Sequence, residues 1–263
     1  MAFEQGHLRA AVGAAITPDR RAAVMSPQAW ARRRDITVAV LAGLLLLAWD
    51  LSGADLPLSR LFGGPAGFAL RHHGLLETVL HDGAADLLKA MFVLLGLNVW
   101  WPLPLIGAMP RALRLRWWLL TLLCALSIAL LKRLSLVSCP WSLAEFGGSA
   151  HWLSHATLAA WWGAGDGGPG HCFPAGHVSN AFALVGGALA LRAVSPRAAR
   201  LWLLAVCLIG ALLGLTQLLR GAHLLSHSLW TAWICWTLSV VAWHGADAVA
   251  ARRARACAVA PAR

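Results

Sequence analysis

The sequence is poor in charge and contains no tyrosine. Only 13% of its 263 residues are Asp, Glu, Lys or Arg, whereas a soluble globular domain carries about 25%. Hydrophobic residues make up 59%, so the composition excludes an ordinary soluble domain and indicates a chain whose solvent is the lipid bilayer. Tryptophan is abundant, with 15 residues. Many of them lie at the ends of apolar runs, as an interfacial aromatic belt requires.

Acidic residues are scarce as well: 11 Asp and Glu stand against 22 Lys and Arg, which leaves a net charge of +11. An excess of this size suggests a nucleic-acid partner, but the basic residues concentrate in alternate segments between the apolar runs. The richer segments lie before residue 36, between the second and third runs, between the fourth and fifth, and after residue 244. This alternation is the positive-inside pattern of membrane proteins. It predicts that both termini are cytoplasmic and that no nucleic acid is bound.

The apolar residues fall into six runs. They cover about 36–54, 86–106, 117–132, 177–193, 201–219 and 228–244. Several are shorter than the roughly 20 residues that cross a bilayer, so interfacial Trp residues and Arg stems must complete them. We therefore predict an all-α fold, a polytopic membrane helix bundle with six transmembrane helices over residues 35–246. Residues 1–34 are expected to form a disordered basic tail, and residues 247–263 a loose basic tail.

This topology places residues 55–85, 132–176 and 220–227 on one outer face, and histidines concentrate there. The histidines on it or at its border include His151, His155, His171, His177, His223 and His227. Ionisable groups at the depth of a membrane boundary are functional candidates, so the outer face is expected to carry the activity. Residues 142–162 are expected to form a helix that rests on the membrane, with His151 and His155 as ordinary interfacial residues.

Three short elements of this face combine cations, histidines and a helix start. Lys132 and Arg133 end the third apolar run. Pro174 and Gly176 precede His177 in the first turn of the fourth run, where the free N–H groups of a helix can bind phosphate. After the fifth run, spacings of four, three and four residues place a polar stripe on one face of a continuous helix: Thr216, Arg220, His223 and His227. An arginine and two imidazoles on one stripe favour an anionic ligand.

In this order the elements resemble the motifs of the type-2 phosphatidic acid phosphatase family, K-x6-R-P, P-S-G-H and S-R-x5-H-x3-D. The first runs from Lys132 to Pro140, the second reads "PAGH" from Pro174, and the third runs from Thr216 to His227. The resemblance covers residues 132–227 and extends to the family's six spans and external site. The sequence departs from the pattern at two Arg positions, the Ser and the Asp, which are here Cys139, Gln217, Ala175 and His227.

The resemblance implies a role for each matched residue. His223 would attack phosphorus, His177 would protonate the leaving oxygen, and Lys132 would hold phosphoryl oxygens. Gly176 would let the backbone approach the bound phosphate closely. In the family an aspartate orients the imidazole of the nucleophile, and no metal is used.

The changed positions require replacements, because phosphoryl transfer depends on positioning and neutralising the phosphate charge. Arg220 lies one helical turn before His223 and is the better substitute for an arginine, while Arg133 is the poorer one; Gln217 remains among the expected phosphate-binding residues. His227 can accept the ring N–H of the nucleophile but brings no negative charge. Glu145 or Asp166 would have to supply that charge.

Two of the six cysteines, Cys139 and Cys172, lie on the outer face, each shortly before a motif proline. A disulfide between them would join the first motif to the second and stabilise the fold by about 3 to 4 kcal/mol in the loop-entropy model; two free thiols are the alternative. Together with nearby histidines they also permit a metal site, but the tight C-x2-C spacing of zinc sites is missing. We expect no metal and no cofactor.

These observations predict an integral membrane phosphatase that is independent of metal ions. Its expected partners are membrane lipids and a lipid phosphate substrate, a phosphomonoester or diphosphate that is hydrolysed through a phosphohistidine intermediate. The expected location is a bacterial cytoplasmic membrane with the site on the periplasmic side. Two alternatives stay open: a lipid-phosphate phosphotransferase, which differs only in the acceptor, and a non-catalytic lipid-binding protein of the same fold.

Overall fold

The computed structural model describes residues 26–103 and 109–259. It is 73% helical, and the sheet within the described residues is one hairpin of β1 (Gly63–Gly64) and β2 (Gly67–Phe68). The predicted all-α class is therefore confirmed. The chain divides into two units, residues 1–34 and residues 35–263. The expected tail residues 1–25 and 260–263 lie outside the described residues.

The helices differ widely in length, and residues 135–175 form a long connection between the fourth and fifth of them. They are α1 (Pro27–Ser52), α2 (Asp55–Arg60), a π-helical segment (Leu75–Gly83) that continues into α3 (Ala84–Trp100), α4 (Arg111–Leu134), α5 (Gly176–Phe182), a 3-10 turn (Ala183–Gly186), α6 (Gly187–Arg192), α7 (Pro196–Leu219) and α8 (Leu225–Val259). Among the described residues, five helical stretches are long and apolar enough to cross a membrane: 27–52, 75–100, 111–134, 196–219 and 225–258. These stretches are compatible with an integral membrane protein.

The fourth predicted span is not a single long helix. Residues 176–192 are divided into α5, the 3-10 turn and α6, and residues 183–190 are all buried. Gly187 explains the tight packing at the break, because a Cβ there would lie 2.5 Å from the ring of Trp117. Small residues let helices approach closely in membranes. The divided segment is thus a central element against which α4, α7 and α8 pack.

The outward surfaces of the long helices are apolar. Only 22% of the most apolar window of α1 is buried, and its exposed side chains include Leu41, Leu44 and Leu45. Exposed leucine and valine continue on α3, α4 and α7. Contiguous apolar surface of this extent is unusual for a protein in water, whereas lipid chains would cover it without cost.

The two tail predictions differ from the structure where residues are described. Helix α1 begins at Pro27 and α8 ends at Val259, so residues 27–34 and 247–259 are helical and not loose. The sequence at both places is rich in Ala and Arg, which rank among the best helix formers. The basic composition of these two segments is therefore compatible with helical structure.

The predicted surface helix over residues 142–162 is also wrong. This region contains only short 3-10 turns, at Pro140–Ser142, Ala144–Phe146 and Leu158–Ala160. Gly147 adopts a φ of +83°, which a residue with a side chain rarely adopts. The chain reverses there, and Ala150 N–H donates to Ser142 O over 2.8 Å. The adjacent glycines favour a turn over a helix.

The three segments predicted to share one face do pack together. Ser226 N–H donates to Asp55 Oδ1 over 3.1 Å, and the rings of Phe68 and Phe146 lie 4.8 Å apart. Arg71 stacks on the Trp141 ring at 4.7 Å. These contacts join residues 55–85, 132–176 and 220–227 at one end of the helices.

Residues predicted to be cytoplasmic are likewise joined to one another. Asp35 Oδ2 lies 2.8 Å from Arg192 Nη1 and 3.1 Å from His244 Nε2. Arg116 pairs with Asp247 over 2.7 Å and covers the ring of Trp243. The chain therefore separates its basic end from the end that carries the three motifs.

Candidate active site

The first and second motifs are held side by side by main-chain hydrogen bonds and a disulfide. His171 N–H donates to Ser135 O over 2.8 Å, and Cys172 N–H donates to Val137 O over 2.9 Å. Cys139 and Cys172 form a disulfide with their Cα atoms 5.1 Å apart, so the disulfide alternative is confirmed over two free thiols. Residues 135–140 thus lie alongside residues 171–175.

The third motif is joined to both of the others. Ala175 N–H donates to His227 O over 3.2 Å, and Trp141 N–H donates to Gly221 O over 2.9 Å. The hydroxyl of Thr231 donates to Ala175 O over 3.1 Å. Three segments that are far apart in the sequence therefore meet at one place.

His223 lies in a turn, not on the continuous helix that its spacing predicts. Helix α7 ends at Leu219 and α8 begins at Leu225. Gly221 has a φ of +69°, its N–H donates to Leu218 O, and Ala222 N–H donates to Gln217 O. This is the Schellman pattern that ends helices at glycine. The predicted stripe is therefore wrong, although the turn still brings His223 and His227 together.

The imidazole of His223 is buried against the disulfide. His223 is 5% exposed, and its Nδ1 lies 3.4 Å from Cys172 Sγ. The ring centroids of His223 and His227 are 5.8 Å apart. The predicted nucleophile is thus fixed by groups from the second and third motifs.

Lys132 lies against Gly176 at the start of α5, directly before His177. A Cβ at Gly176 would lie 3.0 Å from Lys132 Cδ and 3.3 Å from Lys132 Nζ, so the ammonium group approaches the first turn because residue 176 is glycine. His177 follows directly and is partly buried. Helix α5 has only seven residues, so its dipole contributes less to phosphate binding than the dipole of a long helix would.

A pocket of about 440 Å³ opens beside His177. Besides Gly176 and His177 it is lined by residues from the π-helical segment, the start of α3 and α5, namely Asp82, Ala85, Asp86, Lys89 and Asn180. Lys89 Nζ pairs with Asp86 Oδ1 over 2.9 Å. The side chains that line the pocket are therefore mainly polar.

Arg220 and Gln217 place buried donors near the third motif. Arg220 is 4% exposed; its Nε donates to Arg71 O and its Nη2 to Glu77 Oε1, both over 3.0 Å. Its Nη1 and the Nε2 of Gln217 are buried and find no hydrogen-bond partner within the described residues. An unmet buried donor is costly, so both atoms are suited to an acceptor such as a phosphoryl oxygen.

The structure does not group Arg133 with these residues. Its neighbour Lys132 is partly buried against Gly176, whereas Arg133 is exposed at the end of α4. Lysine and arginine at the end of a span commonly extend toward the interface. No geometric observation therefore supports contact between Arg133 and phosphate.

His227 does not accept a hydrogen bond from His223 in the way that its motif position suggests. His227 is fully buried, and neither ring nitrogen makes a hydrogen bond of ordinary geometry within the described residues. Its ring instead contacts the rings of Phe173 at 5.2 Å and His155 at 5.5 Å. The structure therefore shows no such hydrogen bond, and the orienting role expected of His227 stays a prediction.

The two acids considered as a charge source are engaged elsewhere. Asp166 accepts hydrogen bonds from Ser138 Oγ over 2.7 Å and from Gly168 N–H over 3.0 Å. Glu145 pairs with Arg60, and this contact raises the pKa of the Arg60 guanidinium. Asp166 and Glu145 thus organise the outer loops and do not face the histidines.

Asp50 and His155 are the buried polar pair that the sequence analysis missed. Asp50 Oδ2 accepts from Trp230 Nε1 over 2.8 Å and lies 3.1 Å from His155 Nε2. His155 is 6% exposed and stacks on Phe173 with centroids 4.1 Å apart, so its assignment as an ordinary interfacial residue is wrong. A single acid inside the first apolar run was the available signal.

One group of possible metal ligands lies within the site. Cys172, His223 and His227 place their ligand atoms within 4.8 Å of one another. The thiolate is the form of cysteine that binds metal, and Cys172 is consumed by the disulfide. Two imidazoles remain, fewer than the three protein ligands of a catalytic zinc site. The donor set of the oxidised protein therefore does not fit zinc.

Comparison with known protein families identifies a match. The family model of the PAP2 superfamily matches residues 114–249, just over half of the chain. The matched region runs from α4 to α8 and contains all three motif segments. Neither the curated proteins nor the solved structures include a significant match.

Proposed function

Since the chain belongs to the PAP2 superfamily, whose members are typically phosphatases, we propose that it hydrolyses a lipid phosphate through a phosphohistidine on His223. The observation that carries this proposal is the meeting of three distant motif segments around the Cys139–Cys172 disulfide. That meeting brings a buried imidazole, a lysine and a second histidine to one end of the helices.

Binding of the phosphate would use the cations and unmet donors of the site. Lys132 beside Gly176 supplies one positive charge, and Arg220 Nη1 and Gln217 Nε2 supply buried N–H groups. A phosphomonoester carries a charge of about −1.5 to −2, so binding depends chiefly on these contacts. The Gln217 amide occupies the position of a family arginine and contributes a donor without charge.

The chemistry would proceed in two steps. A ring nitrogen of His223 attacks phosphorus with its lone pair, the N–P bond forms, and the P–O ester bond breaks. The leaving oxygen takes the electron pair of that bond and a proton from His177, as in general acid catalysis. Water then attacks the phosphohistidine, with His177 as the base, and inorganic phosphate leaves.

Lipid is the proposed substrate class because the site adjoins apolar surface. Trp161 Nε1 donates to His155 O over 3.1 Å, which ties the loop of residues 151–162 to the buried cluster. The same loop exposes Trp152, Leu158 and Trp162. Side chains of this kind partition into the headgroup region of a bilayer. A phosphate at headgroup level would then reach Lys132.

The proposed topology has six spans, with α5 and α6 together as the fourth, and both termini in the cytoplasm. The arginine-rich end with Arg116 and Arg192 is the inner one under the positive-inside rule. The three motifs then lie outside, at the periplasmic face of a bacterial cytoplasmic membrane. An oxidising compartment is also where a disulfide persists.

The proposal is tested by phosphate release from a panel of lipid phosphates by protein purified in detergent. Wild type is compared with His223→Ala, His177→Ala and Arg220→Ala, with and without a metal chelator. We expect all three variants to lose most activity and the chelator to change little. Equal turnover by wild type and His223→Ala would exclude this mechanism, and absence of turnover in the wild type would leave the lipid-binding alternative.

A further inference from the structure

The predicted nucleophile lies in contact with a disulfide sulfur. His223 Nδ1 lies 3.4 Å from Cys172 Sγ, and Cys172 is bonded to Cys139. Cys172 has no exposed surface and His223 is 5% exposed, so water does not screen the contact. The pair joins the second motif to the third.

The chemistry of the pair assigns its donor and acceptor. A sulfur in a disulfide carries no hydrogen and can only accept, whereas a neutral imidazole carries one N–H and one lone pair. A hydrogen bond across this contact therefore requires the proton on Nδ1. The lone pair is then on Nε2, because the bond made by one ring nitrogen sets the state of the other.

We propose that the disulfide sulfur of Cys172 is a positioning residue for His223: it accepts the Nδ1–H and presents Nε2 to phosphorus. This inference rests on the proposed phosphatase function. At the position of the family's orienting aspartate the chain has His227, whose ring nitrogens make no hydrogen bond of ordinary geometry within the described residues. The sulfur fixes the tautomer that a carboxylate would otherwise fix.

The proposal determines which nitrogen is phosphorylated. The Nε2 lone pair forms the N–P bond, the P–O bond breaks toward the leaving oxygen, and that oxygen takes its proton from His177. The proton on Nδ1 stays on the ring. Phosphate is therefore expected on Nε2 and not on Nδ1.

Reduction would remove this control. Two electrons and two protons from a dithiol convert the disulfide into two thiols, and the Cys172 thiol can donate as well as accept. His223 would then populate both tautomers. A neutral hydrogen bond contributes modestly, so we expect roughly a three- to tenfold fall in kcat with little change in KM.

The first test measures the tautomer without turnover. Oxidised wild-type protein labelled with ¹⁵N-histidine is studied in detergent by long-range ¹H–¹⁵N NMR, and the His223 signals are identified by their loss in His223→Asn. We expect the Nδ1–H tautomer. The Nε2–H tautomer in the oxidised protein would overturn the proposal, and this result does not depend on any cysteine variant folding.

The second test separates the sulfur from the cross-link. Cys139→Ala breaks the disulfide and leaves a sulfur beside His223, while Cys139→Ala/Cys172→Ala removes both. We expect a larger fall in kcat in the double variant, together with phosphate on Nδ1 as well as Nε2 of His223. Equal losses with an unchanged isomer would show that the disulfide acts only as a cross-link. Absence of any phosphohistidine in wild type would instead count against the proposed function, leaving the tautomer result intact.

Discussion

The carboxylate of Glu77 forms an ion pair with the guanidinium of Arg220, with 3.0 Å between Oε1 and Nη2. The arginine is buried and Glu77 is partly exposed, with 40% of its side chain accessible. Arg220 is the residue proposed to replace a family arginine at the phosphate. A substrate phosphate must therefore compete with Glu77 or use the remaining Nη1 donor.

Replacing Glu77 by glutamine is expected to strengthen inhibition by inorganic phosphate by up to about fivefold, since a partly exposed ion pair contributes roughly 1 kcal/mol or less. The measurement is the inhibition constant of phosphate in detergent. Glu145→Gln is the matched control, because its partner Arg60 is exposed, and it should change nothing. An unchanged constant in Glu77→Gln would place Arg220 outside the phosphate site.

Lys132 and Arg133 are adjacent cations with different surroundings. Lys132→Ala should lower kcat by roughly 10² to 10³, as removal of one stabilising group at a reacting centre does. Arg133→Ala should stay within about twofold, because the side chain is exposed. Steady-state kinetics of both variants decide between them. Equal losses would mean that charge at the interface matters and that contact with phosphate does not.

Gly176→Ala tests the close approach of the lysine. The added methyl group would lie 3.0 Å from Lys132 Cδ, so the ammonium must move away from the first turn of α5. We expect a fall in kcat of roughly tenfold or more, because small displacements of positioning groups are costly. Gly245→Ala is the control, since a Cβ there meets nothing within 4 Å. Full activity in Gly176→Ala would contradict the contact.

Asp50→Asn tests the buried pair with His155. Both side chains are nearly inaccessible, so loss of a charge that accepts two hydrogen bonds should cost about 1 to 3 kcal/mol of the free energy of unfolding. Thermal unfolding in detergent measures it. Asp86→Asn provides the comparison, because its pair with Lys89 is largely exposed and such pairs contribute little. Similar shifts in both variants would remove the structural role given to Asp50.

The sequence predicts the helical class and the residues that meet, because both depend on short-range patterns. Apolar runs mark the helices around the central element, and the motif spacing identifies Lys132, His177 and His223. The Cys139 and Cys172 positions beside motif prolines indicate a disulfide as one of two alternatives. Each of these patterns can be recognised within a short stretch of sequence.

Other features depend on contacts that no local pattern records. The divided fourth helix follows from Gly187 against Trp117, and the end of α7 follows from the positive φ of Gly221. Asp50 becomes a partner of His155 only when α1 packs beside the outer loop. The contact of Cys172, and not His227, with the His223 ring nitrogen likewise arises only when the three motif segments are assembled.

The most direct test of the central claim is to trap the phosphoenzyme. Detergent-purified protein is mixed with a lipid phosphate labelled with ³²P, quenched in alkali within milliseconds, and mapped by peptide analysis. The account predicts an acid-labile label on His223 that is absent from His223→Gln. Turnover by the wild type with no label on His223, or a label that persists in His223→Gln, would contradict it.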